Sequence, residues 1–362
     1  MKQGKLKQVL FFLFCFVLGS VGGFLLGETG INFQLGDLLL VVLYIGISFI
    51  LHIVIHESGH LVLGLLTGYR FVSFRLFSLC LVLINGKYRL VRHKVPGTLG
   101  QCLLEPPAYK ENYPFQLYLL GGVLFNGLAS IIFLMAYPLA PTFSIAFVFL
   151  GLFTGLTNLI PFGFNDGKTL QIAKASKENQ KLLYIQLATN AEMTQGSRFS
   201  ELSKDYFEKI PGVPNETHFN HFQDLLSLGL SLETRNWPDV DTKLNNLWQK
   251  RDNLVLPYQL EVEKELLFYL LTQHREDERI EELVSDKKLI NYLKLPLISN
   301  QRVLAAKTYF YNHQLEEANE LIKLALASED KASNLGEFRV EKELIEWLQS
   351  RILENVFETS EK

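Results

Sequence analysis

Four stretches of this sequence, near 8–27, 37–67, 115–138 and 142–162, are apolar over about the ~20 residues an α-helix needs to cross ~30 Å of hydrocarbon. In lipid the backbone must satisfy its own hydrogen bonds, so stretches of this kind are expected as helices. They predict a membrane-embedded unit of about four spans over residues 1–169. The first stretch follows Lys2, Lys5 and Lys7, exceeds the ~7–15 apolar residues of a signal peptide, and lacks an Ala-x-Ala site after it. It reads as a retained anchor. Between the second and third stretches lie Arg70, Arg75, Lys87, Arg89, Arg92, Lys94 and Lys110, whereas Glu28 to Leu35 and the surroundings of Pro141 carry no Lys or Arg. The positive-inside rule then predicts a multi-pass cell-membrane protein with both termini cytosolic.

Within the basic connection, Leu79 to Ile84 and Lys87 to Val95 are rich in Val, Leu, Ile and Tyr and flank Asn85-Gly86, which favours a type I′ turn. A β-hairpin over 79–95 is expected, lying at the membrane interface. Beyond Gly167 the pattern changes to polar amphipathic helices punctuated by Pro211, Pro214, Pro238, Pro257 and Pro296. Residues 170–362 are therefore expected as a cytosolic α-helical domain. The spacing of Ala306, Tyr309, Leu315, Ala318, Ile322 and Ala325 resembles one tetratricopeptide helical hairpin, with a poorer second copy around Leu228, Gly229, Leu232 and Trp237. The fold class is thus mainly α: a polytopic membrane protein with an interfacial hairpin and a repeat-like C-terminal domain.

Net charge is +5 over residues 1–169 and −8 over the remainder, and no basic stripe is interleaved with aromatics, which argues against nucleic acid as a partner. Cys15, Cys80 and Cys102 form no CxxC pair, so neither a disulfide framework nor a thiolate metal site is indicated.

The second apolar stretch contains His56-Glu57-Ser58-Gly59-His60. Residues four apart share one face of a helix, so both imidazoles can meet one metal ion while Glu57 stands beside them without being a ligand. Metal-assisted hydrolysis of a peptide bond needs that division: two nitrogen ligands, and a carboxylate to move protons. Ionisable side chains inside an apolar helix are costly unless paired or metal-bound, which makes this stretch a candidate site. A third ligand is required. The position six residues after His60 is Leu66, and the next Glu is Glu105, beyond the hairpin. Asp166 follows the fourth stretch at the same expected side as His60, so it could complete a two-histidine, one-carboxylate set. His52, one turn before His56, reads as a packing or supporting residue.

With Asn158-Leu159-Ile160-Pro161 and Asp166-Gly167 added to His56-Glu57-x-x-His60, the stretch from Asp37 to Gly167 resembles the site-2 protease family of intramembrane zinc proteases. The resemblance implies His56, His60 and Asp166 as Zn²⁺ ligands and Glu57 as general base and acid. Gly121-Gly122-Val123-Leu124-Phe125-Asn126 is similar to a family element whose Asn contacts substrate or stabilises charge, implying a catalytic or substrate-binding role for Asn126. Asn158 belongs to the signature as a further substrate contact. Val123 departs from the family's usual Pro, and Phe164-Asn165 from its usual Pro-Leu.

The expected function is cleavage of a peptide bond in or near a transmembrane segment of a membrane protein or peptide, in a lipid bilayer. The hairpin would hold the unwound substrate as an added strand, and the C-terminal domain would bind a cytosolic partner or the substrate's tail. The alternatives are a membrane metal-binding or transport protein and a catalytically idle scaffold.

Overall fold

The computed structural model describes residues 16–28 apart from 18 and 26, and residues 34–360 apart from 94, 96, 97, 111, 162, 164, 330 and 331. It is mainly helical, with a small amount of antiparallel β-structure. Three helices are long and apolar enough to cross a membrane: α1 (Leu35–Leu66), α2 (Phe115–Met135) and α3 (Pro141–Leu159). They coincide with the second, third and fourth apolar stretches. Most of the first stretch lies outside the described residues.

What these helices bury shows how they are meant to be solvated. The buried residues of α1 are Ser48, His52, His56, Gly59, His60 and Gly64, nearly every fourth residue, while Leu39, Val42, Leu43 and Ile50 are exposed. α2 buries Gly121, Gly122, Asn126 and Ser130, and α3 buries Ser144, Ala146, Gly151 and Gly155. Apolar side chains face out and small or polar ones face in, the reverse of a helix in water. That inversion points to association with a membrane, where lipid covers the apolar face and small residues let helices pack closely. Gly59 and Gly121 mark the closest approach: a β-carbon on either would run into the other's backbone.

The chain groups into two compact units, one of residues 1–76 and 99–174 and the other of residues 77–98 and 175–362. Beside the three helices, the first unit holds strands β1 (Arg70–Leu76) and β4 (Gly100–Glu105), paired antiparallel from Arg70↔Glu105 to Leu76↔Gly100, and the short helix α4 (Asp166–Ala175). Neither strand was among the sequence expectations. β1 buries Val72 and Arg75, three residues apart, with a register shift between Phe71 and Ser73.

The expected hairpin forms as β2 (Leu79–Ile84) and β3 (Lys87–Arg92), with positive φ at both Asn85 and Gly86 as a type I′ turn requires. One face of it is covered by the helical part of the second unit. Cys80, Val82, Ile84 and Val91 pack with Leu335 of the second unit, and Gln195 Nε2 donates to Leu83 O at 2.6 Å. The inward-facing alternate residues of β2 are apolar and find their cover on this helical unit.

The second unit also holds nine helices among the described residues: α5 (Lys177–Gln195), α6 (His218–Glu233), α7 (Trp237–Gln249), α8 (Leu256–Gln273), α9 (Arg279–Ser285), α10 (Lys287–Leu293), α11 (Ile298–Phe310), α12 (Leu315–Leu326) and α13 (Leu335–Ser360). Local chemistry sets several boundaries. Ser176 caps α5 by accepting from Asn179 N, and Gly196, at φ 114°, ends it in the left-handed conformation that glycine adopts without strain. The segment picked out by its tetratricopeptide-like spacing is the α11–α12 hairpin, with Ala306, Ala318, Ile322 and Ala325 buried. At the centre of the unit Arg302 is fully buried. Its Nε donates to Glu341 Oε2 at 2.6 Å, its Nη2 to Glu265 Oε1 at 2.8 Å, and its guanidinium lies 4.0 Å from the Phe268 ring centre.

Candidate metal centre

α1 carries His56 and His60 one turn apart on its buried stripe, and α4 brings Asp166 to them from 110 residues further along the chain. His56 Nε2 is 3.0 Å and His60 Nε2 is 3.3 Å from Asp166 Oδ2, and the two imidazole nitrogens are 3.2 Å apart. Tetrahedral ligands at ~2.0–2.1 Å from a divalent ion stand roughly 3.3 Å from one another. The observed separations match that spacing, so the three side chains could hold a metal ion. His60 Nδ1 donates to Tyr118 O at 2.7 Å, which fixes the tautomer with the lone pair on Nε2, facing the other donors. Both histidines are buried, whereas the Asp166 side chain keeps 28 % exposure, so the site is open on the carboxylate's side.

The loop that delivers Asp166 is held by its neighbour Asn165. Asn165 Nδ2 donates to the carbonyls of Thr157 and Ile160, both at 2.7 Å, at the end of α3. Its Oδ1 accepts from Lys168 N at 2.9 Å, the N-cap bond of α4. One amide therefore closes one helix and opens the next. Gly167 completes the junction, since a β-carbon there would strike the Leu159 carbonyl. Burial alone would push the Asp166 carboxyl up; His60 and His56 outweigh that and hold it well below the usual carboxylate range. The sequence reading noted Asn165 only as a departure from the family pattern, although Asn directly before a helix is itself an N-cap signal.

Glu57 stands one residue round the helix from His56, half-buried and outside the donor set. It lies against the first residue of β4: a β-carbon on Gly100 would be 2.5 Å from Glu57 Oε1 and 2.7 Å from its Cγ. Arg75, 1 % exposed on β1, donates from Nη2 to Gly100 O at 3.3 Å and so braces the same residue from the other side. Gly122, part of the element noted in the sequence, gives room for the His56 ring, whereas Gly100 was not singled out there.

Asn126 is fully buried and its amide is engaged between helices. Its Oδ1 meets His52 Nδ1 at 3.2 Å, and its Nδ2 donates to Thr154 Oγ1 at 3.0 Å. His52 Nε2 completes the chain by donating to Phe147 O at 2.8 Å. His52, Asn126 and Thr154 thus tie α1, α2 and α3 together. Both ends of the Asn126 amide are engaged by protein in this buried position. Asn158 is half-buried in the last turn of α3. No protein-family model matches the chain, and no curated protein or solved structure matches it either.

Proposed function

We propose that this chain is an intramembrane zinc metalloprotease similar to the site-2 protease family, cleaving a peptide bond in or near a membrane-spanning segment of a membrane protein or peptide. The observation that carries the reading is the convergence of His56, His60 and Asp166 with a carboxylate, Glu57, beside them but outside their set. Zn²⁺ held by the three donors supplies Lewis acidity toward a carbonyl group and water. Glu57 takes a proton from the attacking water and hands it to the leaving amine nitrogen. A transport site would have no use for an unliganded carboxylate in that place.

A helical substrate hides its carbonyls and must be drawn out before attack. β4 is an edge strand whose first residue touches Glu57, so it, rather than the β2–β3 hairpin, suits the task of holding a substrate extended by strand addition. Asn158 retains the role of a substrate contact in this reading, and Asn126 that of an interhelical tie. The topology proposed is four spans, counting one near 8–27, in the cell membrane with both termini cytosolic, and a tetratricopeptide-like C-terminal domain that meets a cytosolic partner.

Metal analysis and cleavage assays on detergent-purified protein test the proposal together. Wild type and Glu57→Gln are expected to carry zinc, Asp166→Ala to lose it, and only wild type to cleave a membrane-peptide substrate, in a chelator-sensitive way. Normal cleavage by Glu57→Gln, or full zinc content in Asp166→Ala, would refute it.

A further inference from the structure

The helical unit contains a cavity of about 280 Å³, open on one side, between α5, α6, α8 and α13. Its volume is near the lower end for small-ligand sites and suits one or two amino-acid side chains. One wall is apolar, formed by Met193, Phe199, Phe222 and Leu226. The lining also includes a charged floor of Glu261, Lys264, Glu265, Glu337 and Glu341.

The charges on that floor do not balance. Lys264 Nζ is held by Glu261 at 2.5 Å and Glu265 at 3.1 Å, and Arg302 is held by Glu265 and Glu341. Three carboxylates thus share two cations, and Glu337 is a fourth on the same floor. Among the described residues no ion pair or side-chain hydrogen bond reaches the Glu337 carboxylate. Two further polar groups at the cavity lack partners: Thr189 Oγ1, fully buried, and Ser299 Oγ, 2 % exposed. Burial outweighs the pull of Lys264 and, with Glu341, Glu261 and Glu265, lifts the Glu337 carboxyl to about 7. A bound cation would relieve that cost and give the orphaned hydroxyls a donor to accept from.

We propose that this cavity is a binding site for an ammonium or guanidinium group carried on an apolar chain, as on a peptide with a basic residue between apolar neighbours. The cation meets Glu337, Thr189 Oγ1 and Ser299 Oγ accept its remaining protons, and the aliphatic stem lies on the Met193 and Phe222 wall. This site stands independently of the metal centre, whose residues take no part in it.

Calorimetric titration of the full-length protein in detergent tests the assignment with three probes: acetyl-Leu-Lys-Leu-amide, its norleucine analogue, and Leu-Leu-amide with a free amino terminus. The lysine peptide is expected to bind about 10- to 100-fold more tightly than the norleucine peptide, the worth of a charge-assisted hydrogen bond in a buried site. Binding of Leu-Leu-amide instead would assign the site to a chain's terminal ammonium, the same chemistry from another source. Glu337→Gln is expected to remove most of the preference and Ser299→Ala part of it, with tryptophan-fluorescence melting curves confirming that both variants are folded. Equal binding of lysine and norleucine peptides, no binding of any probe, or an unchanged preference in folded Glu337→Gln would overturn the proposal.

Discussion

Gly122 and His56 fit together so closely that a β-carbon on the glycine would occupy the space of the imidazole ring. The ring therefore owes its position to the absence of a side chain on the facing helix. Gly122→Ala is expected to weaken metal binding by about 10- to 100-fold, the range typical of losing a residue that orients a ligand. Gly127, on the same helix with open space around it, supplies the control: Gly127→Ala should leave binding unchanged. Competition with a chelator of known affinity reads both.

Asn165 uses both ends of its amide, donating to α3 and accepting from α4. Loss of such a cap costs about 1–2 kcal/mol. Asn165→Ala should therefore weaken metal binding by freeing the loop that carries Asp166, although Asn165 is no ligand. Asn165→Asp is expected to restore little, because it can still accept from Lys168 N but would present oxygen to the carbonyls of Thr157 and Ile160. Zinc affinity of the three forms, measured side by side, checks the order.

Arg302 is the counter-charge of Glu265 and Glu341 in a dry interior. Arg302→Met keeps much of the volume but leaves Glu341 without its cation and Glu265 with Lys264 alone, which is expected to cost about 3–5 kcal/mol. All three tryptophans of the chain, Trp237, Trp248 and Trp347, belong to this helical unit. Denaturant titration followed by tryptophan fluorescence therefore reports on it selectively, and the midpoint should fall.

Glu337 gives the unit a pH dependence of known sign. Its carboxyl titrates near 4.5 when unperturbed and at about 7 in the folded chain, pushed up chiefly by burial. Below 4.5 it is protonated in both states and has no effect. As pH rises to 7 the unfolded chain loses its proton first, so stability falls across that window and stays lower above it. The loss is at most on the order of 3 kcal/mol, and less in proportion to the group's partial exposure. Glu337→Gln should melt at the temperature of wild type near pH 5 and above it at pH 8.

The grouping of His56, His60 and Asp166 was legible in sequence because metal-ligand chemistry has a fixed spacing. His56 and His60 must be four apart to share a helical face, and Asp166 was the carboxylate that topology allowed. The three apolar helices were legible for a similar reason, since lipid accepts few alternatives. What escaped depended on contacts between distant segments. β1 and β4 are short and stabilise each other across an intervening hairpin, so neither is marked by its own composition. Gly100 and Gly122 matter for what they leave room for, which a glycine in a sequence does not announce. The contacts of Asn126 with His52 and Thr154 were not legible either, because an intramembrane Asn can serve a substrate or a neighbouring helix and its sequence context is the same for both.

The stripe of Ser48, His52, His56 and His60 has a further consequence for how the molecule comes into being. Turned toward lipid, it would leave three imidazoles without partners, so α1 is a poor lodger in a bilayer until the helices that bind it have been made. Its companions start nearly fifty residues after it ends. The nascent chain must shelter those groups meanwhile, in water, against the insertion machinery or around a captured ion, and assembly of the three helices is the step that first makes them a single durable object.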